Sequence, residues 1–292
     1  MLTERLVCIR CRGSLSGEND VLRCQLCGAE YASAGQVPVL LPEALSKQQQ
    51  SQTSYFDTEF GGYARYAPEN WRRSYNERIF RELGIGPGGG PYLDVGVGGS
   101  GATVIEAARL GVEATGCDLS VEGVRHADRF AQQEGVADRA RFVVCAAESL
   151  PFRDGSFACA SAVALLEHLD DDTAAAEELA RVVRPAGRLW VTVPLAWRYV
   201  PPPLWPVYKR HDRNLGHKRH YDEKALVRLL GAAGFDHEAS FYTGHPVKVV
   251  QFLAQQVAPS ADRLWWALER ADLRAARRPW GALQLSAVLR RR

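Results

Sequence analysis

Four cysteines in two close pairs, Cys8 with Cys11 and Cys24 with Cys27, are the first residues of this chain able to do chemistry together. Each pair has the spacing of a metal knuckle. With twelve residues between the pairs, the two turns can face one another and hold one zinc ion in four thiolates. Two disulfides or four idle thiols are the alternatives, but a segment this short has little core without a staple. Four sulfurs leave no open coordination position, so such a zinc would be structural.

A second group surrounds a glycine-rich turn. Asp94 lies in a short apolar run, Gly96, Gly98, Gly99 and Gly101 follow, and Asp118 closes the next apolar segment. Glycine lets backbone approach a ligand closely. Asp94 would repel a pyrophosphate yet suit the cationic amino group of an amino-acid moiety, and Asp118 can accept hydrogen bonds from a ribose. The third group is His168, with Glu167 beside it, and the pair His217 and His220. Imidazole titrates at about 6.5, so His168 is the first candidate base and His217 or His220 the next; a histidine bonding a loop carbonyl is the plain alternative for His168. The His217-x-x-His220 spacing resembles a metal pair, but no carboxylate cluster stands near it in the sequence and no metal is assigned there.

The elements that must position these residues follow from periodicity. The run from Tyr92 to Val95 is short enough for a buried strand, apolar residues recur at helical spacing from about Ala102 to Leu110, and Val112 to Cys117 alternates. Helices are expected from about Asn70 to Leu83, Val121 to Glu134, Asp171 to Val183 and Asp222 to Ala233. Strands are expected from Arg141 to Ala147, at Phe157 to Leu169, at Gly187 to Pro194, at about Asp236 to Thr243 and at Gln284 to Arg291. Open parallel sheets bind ligands beyond the carboxyl ends of their strands, which is where Glu167 and His168 fall.

Residues 43–54 are polar and aperiodic and read as a linker, while Tyr55, Phe56, Tyr63 and Tyr66 could cover a ligand. Residues 195–221 hold three consecutive prolines and read as a long loop or lid. Within it Arg198, Lys209, Arg210, Arg213, Lys218 and Arg219 face Asp212 alone, interleaved with Trp197, Tyr199, Trp205 and Tyr208. Such a segment could hold an anionic small molecule or a flipped RNA base, or be a solvated lid whose aromatics plug its own core. Residues 246–278 read as helical, with Trp265, Trp266, Leu268 and Leu273 on one face.

Composition bounds the rest. With 292 residues and 46% apolar content the chain can build one sizeable core plus an appendage, and a net charge of +2 demands no nucleic-acid partner. There is no run of about 18 uncharged apolar residues and no secretion signal at the N-terminus, so no membrane span is expected and the cytoplasm is the expected compartment. Seven cysteines suit that reducing environment if four hold a metal and Cys117, Cys145 and Cys159 are inert core thiols.

Several stretches resemble the class I S-adenosylmethionine-dependent methyltransferases. Asp94 through Gly101 is similar to their acid-x-Gly-x-Gly-x-Gly motif with one extra position. Residues 146–157, AAESLPFRDGSF, are similar to the segment that closes over the adenine, with Ala146 in place of the usual acid. Residues 181–194 resemble the fifth-strand signature, with Ala186 where glycine is common. The resemblance covers residues 55–292 and implies an α/β, seven-stranded Rossmann-like sheet. It implies S-adenosylmethionine as cofactor, held through Asp94, Gly96, Gly98, Gly101, Asp118, Leu119, Ala147 and Glu148. Residues 1–42 resemble the zinc ribbons of methyltransferase-activator proteins and of rRNA guanine methyltransferases, which implies a structural Zn2+ on Cys8, Cys11, Cys24 and Cys27. The first expectation is O-methylation of a small anionic, glycosylated or natural-product-like molecule. RNA base methylation and a non-catalytic activating or docking role are the alternatives, and the oligomeric state stays open.

Overall fold

The computed structural model describes residues 2–18, 21–60, 70–245, 268, 271–272 and 276–292. After a single helical turn, α1 (Leu2–Arg5), come four short strands: β1 (Leu15–Glu18), β2 (Val21–Cys24), β3 (Glu30–Ala34) and β4 (Val37–Leu40). Helices α2 (Lys47–Phe60) and α3 (Asn70–Leu83) precede an alternating series: β5 (Tyr92–Val95), α4 (Ala102–Arg109), β6 (Ala114–Asp118), α5 (Val121–Gln133), β7 (Ala140–Cys145), β8 (Phe157–Val163), α6 (Asp172–Val182) and β9 (Val183–Pro194). Then come α7 (Trp205–Leu215), α8 (Glu223–Ala232), β10 (Phe235–Thr243) and β11 (Gln284–Arg291).

The sheet places β7, β6, β5, β8, β9, β11 and β10 side by side, parallel except that β11 runs antiparallel to both β9 and β10. This is a Rossmann-like order, as the resemblance implies, and β5 lies fully buried between β6 and β8 because Tyr92–Val95 meets apolar cover on both faces. The expected count of seven is too small: among the described residues the sheet has eleven strands. The N-terminal strands extend it, since β4 pairs in parallel with β7 through Val39 opposite Val144 and Leu40 opposite Cys145. The reason is that β7 would otherwise end the sheet as an unpaired apolar edge.

Residues 1–42 therefore share the core of the sheet. Leu6, Cys8, Tyr31 and Leu40 belong to one apolar cluster with Leu93, Phe152 and Leu179. The Val7 amide donates to the Pro151 carbonyl at 2.9 Å and the Arg153 amide to the Arg5 carbonyl at 2.8 Å.

Two further expectations change. Residues 43–54 are not aperiodic throughout, because α2 begins at Lys47. Its start is a reciprocal cap: the Ser46 amide donates to Gln49 Oε1 at 3.0 Å and the Gln49 amide to Ser46 Oγ at 3.1 Å. Residues 195–221 hold short turns at Trp197–Tyr199 and Pro202–Leu204 and then α7, so the prolines precede a helix, with Pro206 in its first turn where a missing N–H costs little. The helical reading of 246–278 falls mostly outside the described residues, as do Tyr63, Tyr66, Trp265, Trp266 and Leu273; Leu268 is helical.

Candidate functional site

A cavity of about 410 Å³ opens beyond the carboxyl ends of β5, β6, β7 and β8. Its floor is the glycine-rich turn. Gly96, Gly98 and Gly101 have φ of 78°, 62° and 59°, a region that side chains disfavour, and Gly101 opens α4 without a side-chain cap. A Cβ at Gly99 would stand 2.6 Å from Phe60 Cγ, so this position needs its bare backbone because α2 lies over it.

Two acids face the cavity from adjacent strands. Asp94 is 4% exposed and accepts from the Ser161 hydroxyl, which in turn lies 2.5 Å from the Tyr92 hydroxyl. Asp118 accepts the Gly98 amide at 2.9 Å on Oδ2 and the Ser120 amide at 3.0 Å on Oδ1, clamping the tip of β6 to the turn. Burial raises the Asp118 carboxyl above its ordinary range, opposed by those amides. Leu119, Ala147 and Glu148 line the same cavity, with Ala147 and Glu148 in a short turn of helix after β7. Ala146 and Cys145 are there too, and Gln49 of α2 donates to Glu148 at 3.4 Å.

The α2 wall was not foreseen. Gln49, Gln52, Thr53, Phe56 and Phe60 all line the cavity at helical spacing. Phe56 stacks on Phe60 with centroids 5.4 Å apart, and its edge meets His168 at 5.8 Å. Phe56 thus faces the cavity, whereas Tyr55 is 40% exposed. The sequence did hold a signal: Ser46-x-x-Gln49 is a capping box, and the residues facing inward are mostly polar, which hides the apolar period.

His168 and His217 line the cavity with ring centroids 4.9 Å apart, and His220 stands 6.2 Å from His217 on the side away from it, against Trp197 and Tyr208. Burial, with the nearby His217, lowers His168 to about 4, so it is neutral through the working range. Burial pushes Glu167 up to about 8. No carboxylate cluster was expected around His217 and His220; the fold brings Asp212 to both of them and Glu167 to His217. His217 Nδ1 lies 2.9 Å from Asp212 Oδ1, and His220 Nε2 lies 2.9 Å from Asp212 Oδ2 without hydrogen-bond alignment. The basic lid is largely spent on internal partners: Arg198 pairs with Asp222, Lys218 with Asp170 and Arg219 with Asp172, while Lys209 sits 5.8 Å from the Trp197 ring.

The four N-terminal cysteines converge. Their sulfurs lie within 4.8 Å of one another, with Cys8 and Cys27 at 3.6 Å and Cys11 and Cys24 at 3.4 Å. A tetrahedral zinc with bonds of about 2.3 Å needs sulfurs roughly 3.8 Å apart, so the donor set fits. Burial raises the Cys8 thiol, but the Tyr31 hydroxyl at 3.0 Å and the Cys11 and Arg10 amides outweigh it and bring it to about 6. Cys117 and Cys145 are buried strand residues beside the cavity, and burial takes the Cys159 thiol to about 12.

Residues 93–191 match the family model of a methyltransferase domain. Norajmaline N-methyltransferase of Rauvolfia serpentina is 30% identical over 143 residues, 49% of this chain and 48% of that protein. O-methyltransferase resE of Aspergillus sclerotiorum is 35% identical over 116 residues, 39% of this chain and 44% of that protein. The chain thus spans about half the length of the curated relatives it matches. Geranyl diphosphate C-methyltransferase from Streptomyces coelicolor A3(2), solved with Mg2+, geranyl diphosphate and S-adenosyl-L-homocysteine, superposes with a TM-score of 0.65 at 16% identity, covering 86% of this chain and 100% of that one. The shared property there is the fold. No helix among the described residues is long and apolar enough to cross a membrane.

Proposed function

We propose that the chain is an S-adenosylmethionine-dependent methyltransferase acting on an oxygen of a small anionic, glycosylated or natural-product-like molecule. The observation that carries this reading is the pair of carboxylates at the tips of adjacent parallel strands, Asp94 and Asp118, facing one cavity across a turn with three left-handed glycines. A methionine ammonium suits buried Asp94, and each Asp118 oxygen that accepts one amide keeps capacity for a ribose hydroxyl. Leu119, Ala147, Glu148 and Gln49 then border the adenine. The cavity volume is in the range of small-molecule and cofactor sites.

When bound, the cofactor supplies an activated methyl group with its own leaving group. The residues of this chain orient the acceptor and exclude water, the latter through Phe56 and Phe60 of α2. His168, uncharged in the cavity wall, can take the proton of an acceptor hydroxyl, with His217 beside it and His220 behind. The O-methyltransferase relative supports oxygen as the acceptor. Residues 1–42 are read as a zinc ribbon and residues 55–292 as the catalytic unit, with 195–221 on the substrate side.

Calorimetry with S-adenosylhomocysteine tests the cofactor assignment: the parent protein should bind it, and Asp118→Ala should bind it at least tenfold more weakly. Labelled methyl groups followed in a cell lysate test the substrate class. Organic-extractable label supports a small molecule; ribonuclease-sensitive macromolecular label would move the reading to RNA.

A further inference from the structure

Three side chains meet where the turn after β8 faces the loop after α7. Glu167, His168 and His217 each offer a donor atom within 4.8 Å of the other two. The loop is fixed there by the Lys218 amide, which donates to the Glu167 carbonyl at 2.9 Å. Glu167 is 1% exposed, and its Oε2 has no hydrogen-bond partner among the described residues; the same is true of Nδ1 of His168. Burying a carboxylate oxygen beside an imidazole nitrogen with no donor for either is costly, and one cation would satisfy both. Behind this trio Asp212, 7% exposed, takes Nδ1 of His217 at 2.9 Å. A carboxylate on one ring nitrogen fixes the tautomer and leaves the lone pair on the other, the arrangement of a metal-binding histidine.

We propose that Glu167, His168 and His217 bind one divalent first-row transition cation in the wall of the cofactor cavity, with Asp212 as the positioning residue for His217. Two imidazoles and one carboxylate suit Zn2+, Co2+ or Fe2+ and discriminate against Mg2+, which prefers oxygen ligands. Three protein ligands leave coordination positions open, and His168 and His217 both face the cavity, so an oxygen of the second ligand in that cavity can complete the shell. Resting on the methyltransferase reading, this oxygen is the methyl acceptor: the cation would ease loss of its hydroxyl proton to water, and the oxygen would take the methyl carbon as the carbon–sulfur bond of the sulfonium breaks and S-adenosylhomocysteine leaves, with His168 holding the cation in place of acting as base.

The test is a titration of the full-length protein, carrying its ribbon zinc, with Co2+ followed by visible absorption. One equivalent should bind with ligand-field bands and no sulfur charge-transfer band, be displaced by Zn2+ and not by Mg2+, and survive Cys24→Ser. Glu167→Gln, His168→Ala and Asp212→Asn should each weaken it at least tenfold while S-adenosylhomocysteine still binds, which shows the variant folded. Equal cobalt affinity in the parent and all three variants, or a signal that is sulfur-ligated and vanishes in Cys24→Ser, overturns the site. Cobalt bound as expected by a parent protein that ignores S-adenosylhomocysteine would keep the metal site and sink the methyltransferase reading instead.

Discussion

Glu167 and His168 are neighbours in sequence whose proton linkages run in opposite directions. Burial raises Glu167 from 4.5 to about 8, so between those values the folded protein holds a proton that the unfolded chain has lost, and stability falls as pH rises. Burial lowers His168 from 6.5 to about 4, so there the unfolded chain binds the extra proton and stability rises with pH. From about 4.5 to 6.5 the two slopes oppose one another, and from 6.5 to about 8 only Glu167 remains. In protein freed of loosely held metal, the stability of the parent relative to Glu167→Gln should therefore fall across pH 6.5 to 8 by up to about 1.4 kcal/mol per pH unit, a comparison that cancels the opposite slope of the depressed Cys8 thiol. Glu167→Gln should flatten that limb; a variant that keeps the parent's slope would show that Glu167 does not titrate there. None of this was legible in the chain, because Asp212 and His217 are brought to Glu167 and His168 by the return of α7, a tertiary contact that local pattern does not encode. The glycine turn, Asp94 and Asp118 were legible because one strand-turn-helix unit places all of them.

At the scale of elements, β9 and α2 carry opposite lessons. Ala186 stands in β9 with φ of 61°, the left-handed region in which a side chain costs about 1 kcal/mol or more. Ala186→Gly should thus raise stability by roughly 0.5 to 1 kcal/mol in chemical denaturation, less the entropy glycine adds to the unfolded chain. Helix α2 is held at its start by the Ser46 and Gln49 cap and reaches the glycine turn at its end through Phe60. Ser46→Ala should cost about 1 kcal/mol in stability, and, because α2 walls the cavity, it should also weaken S-adenosylhomocysteine binding in calorimetry. Unchanged affinity would show that α2 covers the site without bracing it. The strand pattern of residues 92–194 was readable because parallel strands buried on both faces are near-continuous apolar runs. The extension of the sheet was not, since the apolar run at Val37–Leu40 says nothing about which strand it will pair with.

Over the whole molecule, the N-terminal unit and the cavity wall at Ala147 and Glu148 are one structure. Arg12, just past Cys11, donates to the Leu150 carbonyl at 2.8 Å and pairs with Glu178 at 2.8 Å, and Glu178 also accepts the Leu150 amide at 2.8 Å. The turn that bears Ala147 and Glu148 is therefore held from the cysteine side. Cys24→Ser should release the proposed zinc, and metal analysis together with calorimetry should find weaker S-adenosylhomocysteine binding in the same sample. Retained affinity in a zinc-free protein would separate the two units. Strand β4 is what closes the β7 edge of the sheet. A chain begun at residue 43 would bare Val144 and Cys145 along an edge of unmet amides and carbonyls. Such a fragment would offer its flank to its own copies, so self-association would be the first thing seen on a sizing column.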